Sequence, residues 1–438
     1  MKLNKKKVAK IKELISENKL TQSEIAKQFK ISRSLISDIA TGRAHKDAED
    51  SLPRKLPGGQ HKPLEDYDPT DEKVMSLEAE VIHLIDERNS ARRQLKAVTK
   101  THGLFQAVIE EMETAVKPMT SLPKVPWIRP GSKSKELIEE HLVMHLSDGH
   151  HDQIVRPIEC GGLEDHDFKV SMARAEQYVE TVLKWTQQTL APTFRFPSLT
   201  VLAYGDHTSG EIHGNMERSY FRNCFKNCLA IGQLHSLMFR DLAPYFDMVN
   251  VVYVPGNHGR RSIKKDYHGA HDNWDYLVAE TARLYCRDIE NIHFVVPDTW
   301  TVNIDINGVG FCVCHGDDVK TSLGIPWYGL NRKQQRIMSL SGIQGGTRIR
   351  YYCCGHFHRP GTTSELDGEL LINGAWVATD AYVFNSFSGF SEPTQLVHGT
   401  HPKYGITWRL PVKLRTPDEK KGPKRYKVDL MDDMADLS

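Results

Sequence analysis

Five short stretches of this sequence set aspartate, asparagine and histidine beside glycine: Asp148-Gly149-His150, Gly205-Asp206-His207, Gly256-Asn257-His258, His315-Gly316-Asp317 and Gly355-His356-Phe357-His358. Oxygen and imidazole donors in this number suit divalent ions such as Mn²⁺, Fe²⁺ or Zn²⁺, and there are enough for two. Each stretch ends an apolar, β-rich run: LVMHLS, LTVLAYG, MVNVVYVPG, VGFCVCHG and RYYCCGH. Ligands of open α/β sheets gather at the carboxyl ends of strands, so five such ends can converge on one crevice. A rival use of Cys353, Cys354, His356 and His358 as a structural zinc site is weaker, because adjacent residues at a strand end point to opposite faces.

The elements that must hold these loops follow from the pattern between them. Amphipathic helical stretches, such as 171–190 and 219–243, separate the β-rich runs, and this alternation makes 140–412 an α/β domain. No internal repeat is present.

In their order, D-x-H, GD, GNH, HG and GHxH, the motifs resemble the calcineurin-like metallophosphoesterase superfamily over residues 141 to 380. The resemblance implies a β-sandwich flanked by helices and a pair of divalent metal ions, Mn²⁺ first and Fe²⁺, Zn²⁺ or Ni²⁺ as alternatives. Carried over residue by residue, it assigns Asp148, His150, Asp206 and His358 to one metal. Asp206, Asn257, His315 and His356 fall to the other, with Asp206 bridging. His258 is then the catalytic residue that steadies the phosphate or protonates the leaving oxygen. In this sequence GNH is followed by Gly259 and two arginines where an acid is usual, and His151 and Asp152 crowd the first motif. His207, Glu211 and His213 are further candidates to line the site, whereas Asp317 and Asp318 read as supporting residues.

Ahead of this domain the composition changes. Residues 1–46 carry twelve Lys/Arg against four acids, a net charge of +8. Their apolar residues fall at helical spacing, with Thr21 and Glu24 forming a capping box and Ser32 an N-cap. Residues 1–47 therefore read as a small all-α domain that resembles the helix-turn-helix of DNA-binding proteins. That resemblance would turn Arg33, Ser34 and Ser37 to base edges and bring Arg43 and Lys46 near phosphates. A three-helix bundle that binds a protein is the alternative. A Pro/Gly-rich linker, 48–71, leads to a long helix, 72–117, with heptad-like apolar positions from Val74 to Val116. This is either a coiled-coil seam for a homodimer over 74–116 or a single helix, broken near Gly103, lying on the next domain. A second linker spans 118–139.

Cations also cluster next to the motifs. From Val319 to Tyr352 there is no acid but six cations, Lys320, Arg332, Lys333, Arg336, Arg348 and Arg350, and Arg260, Arg261, Lys264 and Lys265 follow GNH. With Trp274, Trp327, Tyr328 and Tyr351 available for stacking, Arg260, Arg261, Arg332, Lys333 and Arg336 are candidate DNA contacts. The expected function is a two-metal phosphodiesterase that hydrolyses DNA, targeted by its N-terminal head. A phosphatase, a cyclic-nucleotide phosphodiesterase and a non-catalytic DNA-binding regulator are the alternatives. The last segment, 413–438, reads as a mobile tail, basic and then acidic. Over 438 residues the net charge is only +1, which conceals the basic head. With no membrane-length apolar run and eight cysteines scattered in apolar stretches, a cytoplasmic protein with reduced thiols is expected.

Overall fold

The computed structural model describes residues 137–212, 215–264, 269–319, 326–344, 347–365 and 367–431. N-terminal to these it describes residues 11, 14, 22–29, 80, 83–85, 87–90, 103, 105–113, 115 and 116. The chain divides into Met1–Glu87 and Arg88–Ser438. In the first unit a helix, Gln22–Phe29, occupies the place expected for the second helix of the head, with Ile25 and Ala26 buried. Arg33, Ser34, Ser37, Arg43 and Lys46 lie outside the described residues, as does most of the expected dimer seam.

The described residues of the second unit form thirteen strands. The first six are β1 (Ile138–Glu139), β2 (His141–Leu146), β3 (Phe194–Arg195), β4 (Ser198–Tyr204), β5 (Met248–Val254) and β6 (Ile292–Val295). They are followed by β7 (Thr301–Ile306), β8 (Val309–Cys314), β9 (Ile349–Cys354), β10 (Gly361–Glu365), β11 (Gly368–Ile372), β12 (Thr394–His401) and β13 (Gly405–Lys413). One sheet has the order β13-β12-β2-β4-β5-β6 and the other β10-β11-β9-β8-β7, while β1 and β3 form a short parallel pair. The neighbours β2, β4, β5 and β6 are parallel, and so are β8, β9 and β11. Their carboxyl ends therefore share an edge within each sheet.

Alternation along the strands sorts side chains between two cores. Val143, Leu202, Tyr204, Val252 and Val254 face Phe311, Val313, Tyr351 and Cys353 of the other sheet. Their neighbours Leu142, Met144, Leu199, Val201, Val249 and Val251 pack on the opposite side with helices Phe168–Lys184, Cys224–Leu242 and Trp274–Tyr285. On the outer face of the second sheet, Cys312, Cys314, Tyr352 and Cys354 pack with Leu330 of helix Trp327–Gln344. The result is a helix-flanked β-sandwich, a mixed α/β architecture. Cys353 and Cys354 enter different cores, and all eight cysteines are free, buried thiols.

At one end of this unit one of two alternatives left open by the sequence is met, and at the other an expectation changes. Residues 105–113 are helical, and Phe105 (1% exposed) and Ile109 (3%) join the core beneath helix Trp274–Tyr285. Phe105 meets Trp274 edge to face at 5.3 Å, and Arg287 donates to the carbonyls of Glu113 and Val116. This last part of the heptad pattern is thus filled within the chain. The segment read as a mobile tail is docked as far as Met431: Leu414, Tyr426 and Val428 are buried, and Arg425 pairs with Asp241 and Glu176. Buried Arg174 donates to both Glu164 and Glu419, so one arginine ties helix Phe168–Lys184 to the C-terminal segment. Among the described residues no helix is long and apolar enough to cross a membrane.

Candidate metal centre

Strands β2, β4 and β5 of the first sheet and β8 and β9 of the second end on Asp148/His150, Asp206, Asn257/His258, His315 and His356/His358 respectively. All eight sequence-derived site residues come together there. Asp148, His150 and His358 each bring a ligand atom within 4.8 Å of the others. The same holds for Asp206, His315 and His356, and for His150, Asp206 and His258. Asn257 joins them through Oδ1, 3.0 Å from His315 Nε2, which is itself 2.9 Å from Asp206 Oδ2. Asp148, His150, Asp206, Asn257 and His315 are buried, whereas His258, His356 and His358 are half-buried. These three form the open face of the cluster.

The loops are bent to make this possible. Of the eight described non-glycine residues at positive φ, five are Asp148, His150, Asp206, His356 and His358. Left-handed backbone costs L-residues of this kind about 1 kcal/mol or more each, so its concentration on one cluster marks a functional demand. Two motif glycines exist for space. A Cβ on Gly256 would sit 2.2 Å from Asp206 Oδ1, and one on Gly355 equally close to Asp148 Oδ2.

Backbone donors fix both carboxylates. Asp148 accepts from His356 N at 2.7 Å and from the Ser147 hydroxyl at 2.6 Å, and Asp206 accepts from His258 N at 2.7 Å. Burial alone would raise both carboxyl pKa values. His358 and His315 outweigh it at Asp148, as His315 and His258 do at Asp206, so both carboxyls are held down and ionised. Burial, with neighbouring histidines, lowers His150 well below its usual range and His356 to about 4. His315 is raised instead, because Asp206 and Asp148 overcome the effect of burial.

These residues fit divalent ions. Asp148 and Asp206 are held as carboxylates and His150 and His356 as neutral imidazoles, the ligand forms, while His315 and His358, raised by those carboxylates, would release a proton on binding a metal. His315 Nδ1 donates to the Tyr204 carbonyl at 2.9 Å, which turns Nε2 toward Asp206 and Asn257. The Nε2 atoms of His150 and His358 face each other at 3.3 Å, an approach that two lone pairs make only around a cation or a shared proton. The Asp/His clusters can thus bind divalent metal.

Several supporting residues were not evident in the sequence. Asp275, near the start of helix Trp274–Tyr285, accepts from the backbone N–H groups of Asp206, His207 and Gly256 at 2.9–3.1 Å. Asn273, the N-cap of that helix, donates to the Gly256 carbonyl at 2.9 Å. Around Ser147, Asn373 donates to its hydroxyl and Gln395 accepts from its N–H. Only the folded chain shows that the start of this helix clamps two ligand loops, Asp275 holding both and Asn273 the Gly256 loop.

The cationic collar is narrower than its sequence suggests. Lys333, expected to contact DNA, turns inward, with Nζ 2.6 Å from both Asp318 oxygens. Arg261 lies 3.5 Å from Asp272, and Arg348 and Arg350 engage Asp367. Arg260 donates through Nε to the Asn257 carbonyl, beside the cluster. Arg332, Arg336 and Tyr328 are exposed on helix Trp327–Gln344, but Tyr351 and Trp274, expected to stack on bases, are buried. Glu211 accepts from Trp274 Nε1, His207 is fully buried away from the open face, and His213 and Lys320 lie outside the described residues.

No family model and no curated protein matches this sequence. Among solved structures it is similar to a novel archaeal phosphodiesterase, at 10% identity over 62% of this chain and 99% of that chain, with a TM-score of 0.28. It is also similar to Vps29 from Entamoeba histolytica complexed with zinc (12%, 63% and 99%, TM-score 0.24). A third is a predicted phosphoesterase from Streptococcus pneumoniae (9%, 63% and 98%, TM-score 0.23). All three likenesses lie far below 25% identity, and what this chain itself presents is a set of Asp/His clusters able to hold divalent metal.

Proposed function

We propose that the protein is a two-metal phosphodiesterase that hydrolyses DNA and is brought to it by residues 1–47. The observation that carries this reading is the pair of Asp/His clusters meeting at Asp206, with His258 beside them. Asp148, His150, Asp206 and His358 would hold one ion and Asp206, Asn257, His315 and His356 the other, with Mn²⁺ as the first candidate. When bound, such a pair supplies Lewis acidity to the phosphoryl group and to the attacking water. His258 donates from Nδ1 to the Ser209 carbonyl at 3.0 Å, which fixes the ring. Proton transfer to the leaving oxygen then falls to Nε2. Arg260, Arg332 and Arg336 supply cations for the flanking phosphates, and Tyr328, 73% exposed, a face on which a base can stack.

The full-length protein with Mn²⁺ and a panel of single-stranded, duplex and branched DNA and RNA tests this. Cleavage of DNA, abolished in Asp206→Ala and His258→Ala with binding by the head retained, is the expected result. Turnover of phosphoserine or small nucleotides with no cleavage of any DNA would overturn the nuclease reading. The ion pairs that occupy Lys333, Arg348 and Arg350 favour that second reading, a phosphatase or cyclic-nucleotide phosphodiesterase.

A further inference from the structure

Behind the Asp206 cluster lies another group of nitrogen donors. His151 follows β2, His207 follows β4, and His235 sits in helix Cys224–Leu242; all three are fully buried. One ring nitrogen from each lies within 4.8 Å of the others. His151 Nδ1 is 2.6 Å from the Ser171 hydroxyl and His235 Nδ1 is 2.8 Å from the Tyr253 hydroxyl, which leaves their Nε2 atoms facing each other at 3.1 Å. Neither ring nitrogen of His207 has a hydrogen-bond partner, although both are buried and its ring lies 4.8 Å from that of His235.

A buried nitrogen without a partner costs about 1–3 kcal/mol, and the His151–His235 contact does nothing for His207. A shared proton would serve two of the rings, whereas an ion among the three gives each ring a partner, including one of the two unpaired nitrogens of His207. The outward nitrogens of His151 and His235 are already held by hydroxyls, the arrangement that orients imidazole ligands on a metal.

We infer that His151, His207 and His235 form a third, structural metal site for a zinc-class ion, separate from the pair at Asp206. Three imidazoles without a carboxylate suit Zn²⁺ over Mg²⁺ or Ca²⁺. Consecutive residues then serve opposite sides of the same loops: His150 and Asp206 face the open centre, and His151 and His207 the buried one. An ion here would pin the β2 and β4 loops to helix Cys224–Leu242 and hold in place the backbone that presents Asp148 and Asp206. Full burial implies that it enters during folding and resists chelators.

The test is metal content of the full-length protein after EDTA treatment, refolding with Zn²⁺ and removal of free ion. In Asp148→Ala/Asp206→Ala, which removes a donor from every cluster at the open centre, one equivalent of zinc per chain is expected to remain. Adding His235→Gln should remove it. With Co²⁺ in place of Zn²⁺, the same ion should give a visible d–d band that His235→Gln abolishes. Tyr253→Phe, which keeps the packing, should weaken retention about 10–100-fold and serves as the reading if His235→Gln does not fold. No zinc in the double variant, or zinc unaffected by His235→Gln and Tyr253→Phe, would overturn the inference.

Discussion

Asp275 touches no ligand atom, yet three backbone N–H groups of the Asp206 and Asn257 loops end on its carboxylate. Asp275→Ala leaves those buried donors unpaired, at about 1–3 kcal/mol each. Metal titration is expected to show about 10–100-fold weaker binding, with far-UV circular dichroism still native. Unchanged affinity in a folded Asp275→Ala would mean that the loops hold themselves. The ligands were legible in the sequence because each stands directly after a strand, and strand ends converge by geometry. Asp275, Asn273, Asn373 and Gln395 were not, because their partners are remote along the chain and no local pattern announces which carbonyl or N–H a polar side chain will meet. His207 was misplaced for a related reason. It follows a ligand, but the backbone turns at Asp206, where φ is 53°, and sends the two side chains to different sites.

On the proposed nuclease reading, helix Trp327–Gln344 would bear phosphate contacts, since Arg332 and Arg336 are exposed one turn apart. Arg332→Glu/Arg336→Glu is expected to raise the KM for DNA about tenfold or more and to flatten its dependence on salt, while kcat for bis-p-nitrophenyl phosphate stays unchanged. Equal loss on both substrates would point to damage at the centre. At the other end of the unit, Glu419 shares Arg174 with Glu164. Glu419→Ala leaves a fully buried guanidinium with one carboxylate and is expected to cost about 3 kcal/mol in chemical denaturation, since breaking a buried pair strands its charge. A loss below 1 kcal/mol would show that the C-terminal segment docks by apolar contact alone. The docked tail was not predictable, and for residues 105–113 the sequence showed the helix but left its partner open between two alternatives. Amphipathic spacing shows that a helix buries a face, but not whether the partner is a second copy or the chain's own next domain.

Across the whole molecule, acid should act on buried histidines before it acts on carboxylates. Burial pushes His166 down to about 4, below its unfolded value near 6.5, so the fold favours the neutral ring and loses stability as pH falls from 6.5 toward 4. At pH 5 this group alone contributes a loss of about 2 kcal/mol. Thermal melting from pH 7 to 5 should fall less steeply in His166→Asn, which keeps the donor to the Gln153 carbonyl. Glu164 adds a later loss. Burial opposes its ionisation, but Arg174 wins and holds it at about 2, so its contribution is complete above 4.5 and disappears as pH falls toward 2. Net charge is a further property that only a view along the chain interprets, since +1 overall hides the +8 head. The central claim is that Asp206 couples two metal clusters into one hydrolytic centre. It is tested most directly by the initial rate of Mn²⁺-dependent hydrolysis of bis-p-nitrophenyl phosphate by the full-length protein and by Asp206→Asn. A metal-dependent rate that falls about 10³-fold or more in the variant is predicted; no hydrolysis by the metal-loaded wild type, or a rate indifferent to Asp206→Asn, would contradict it.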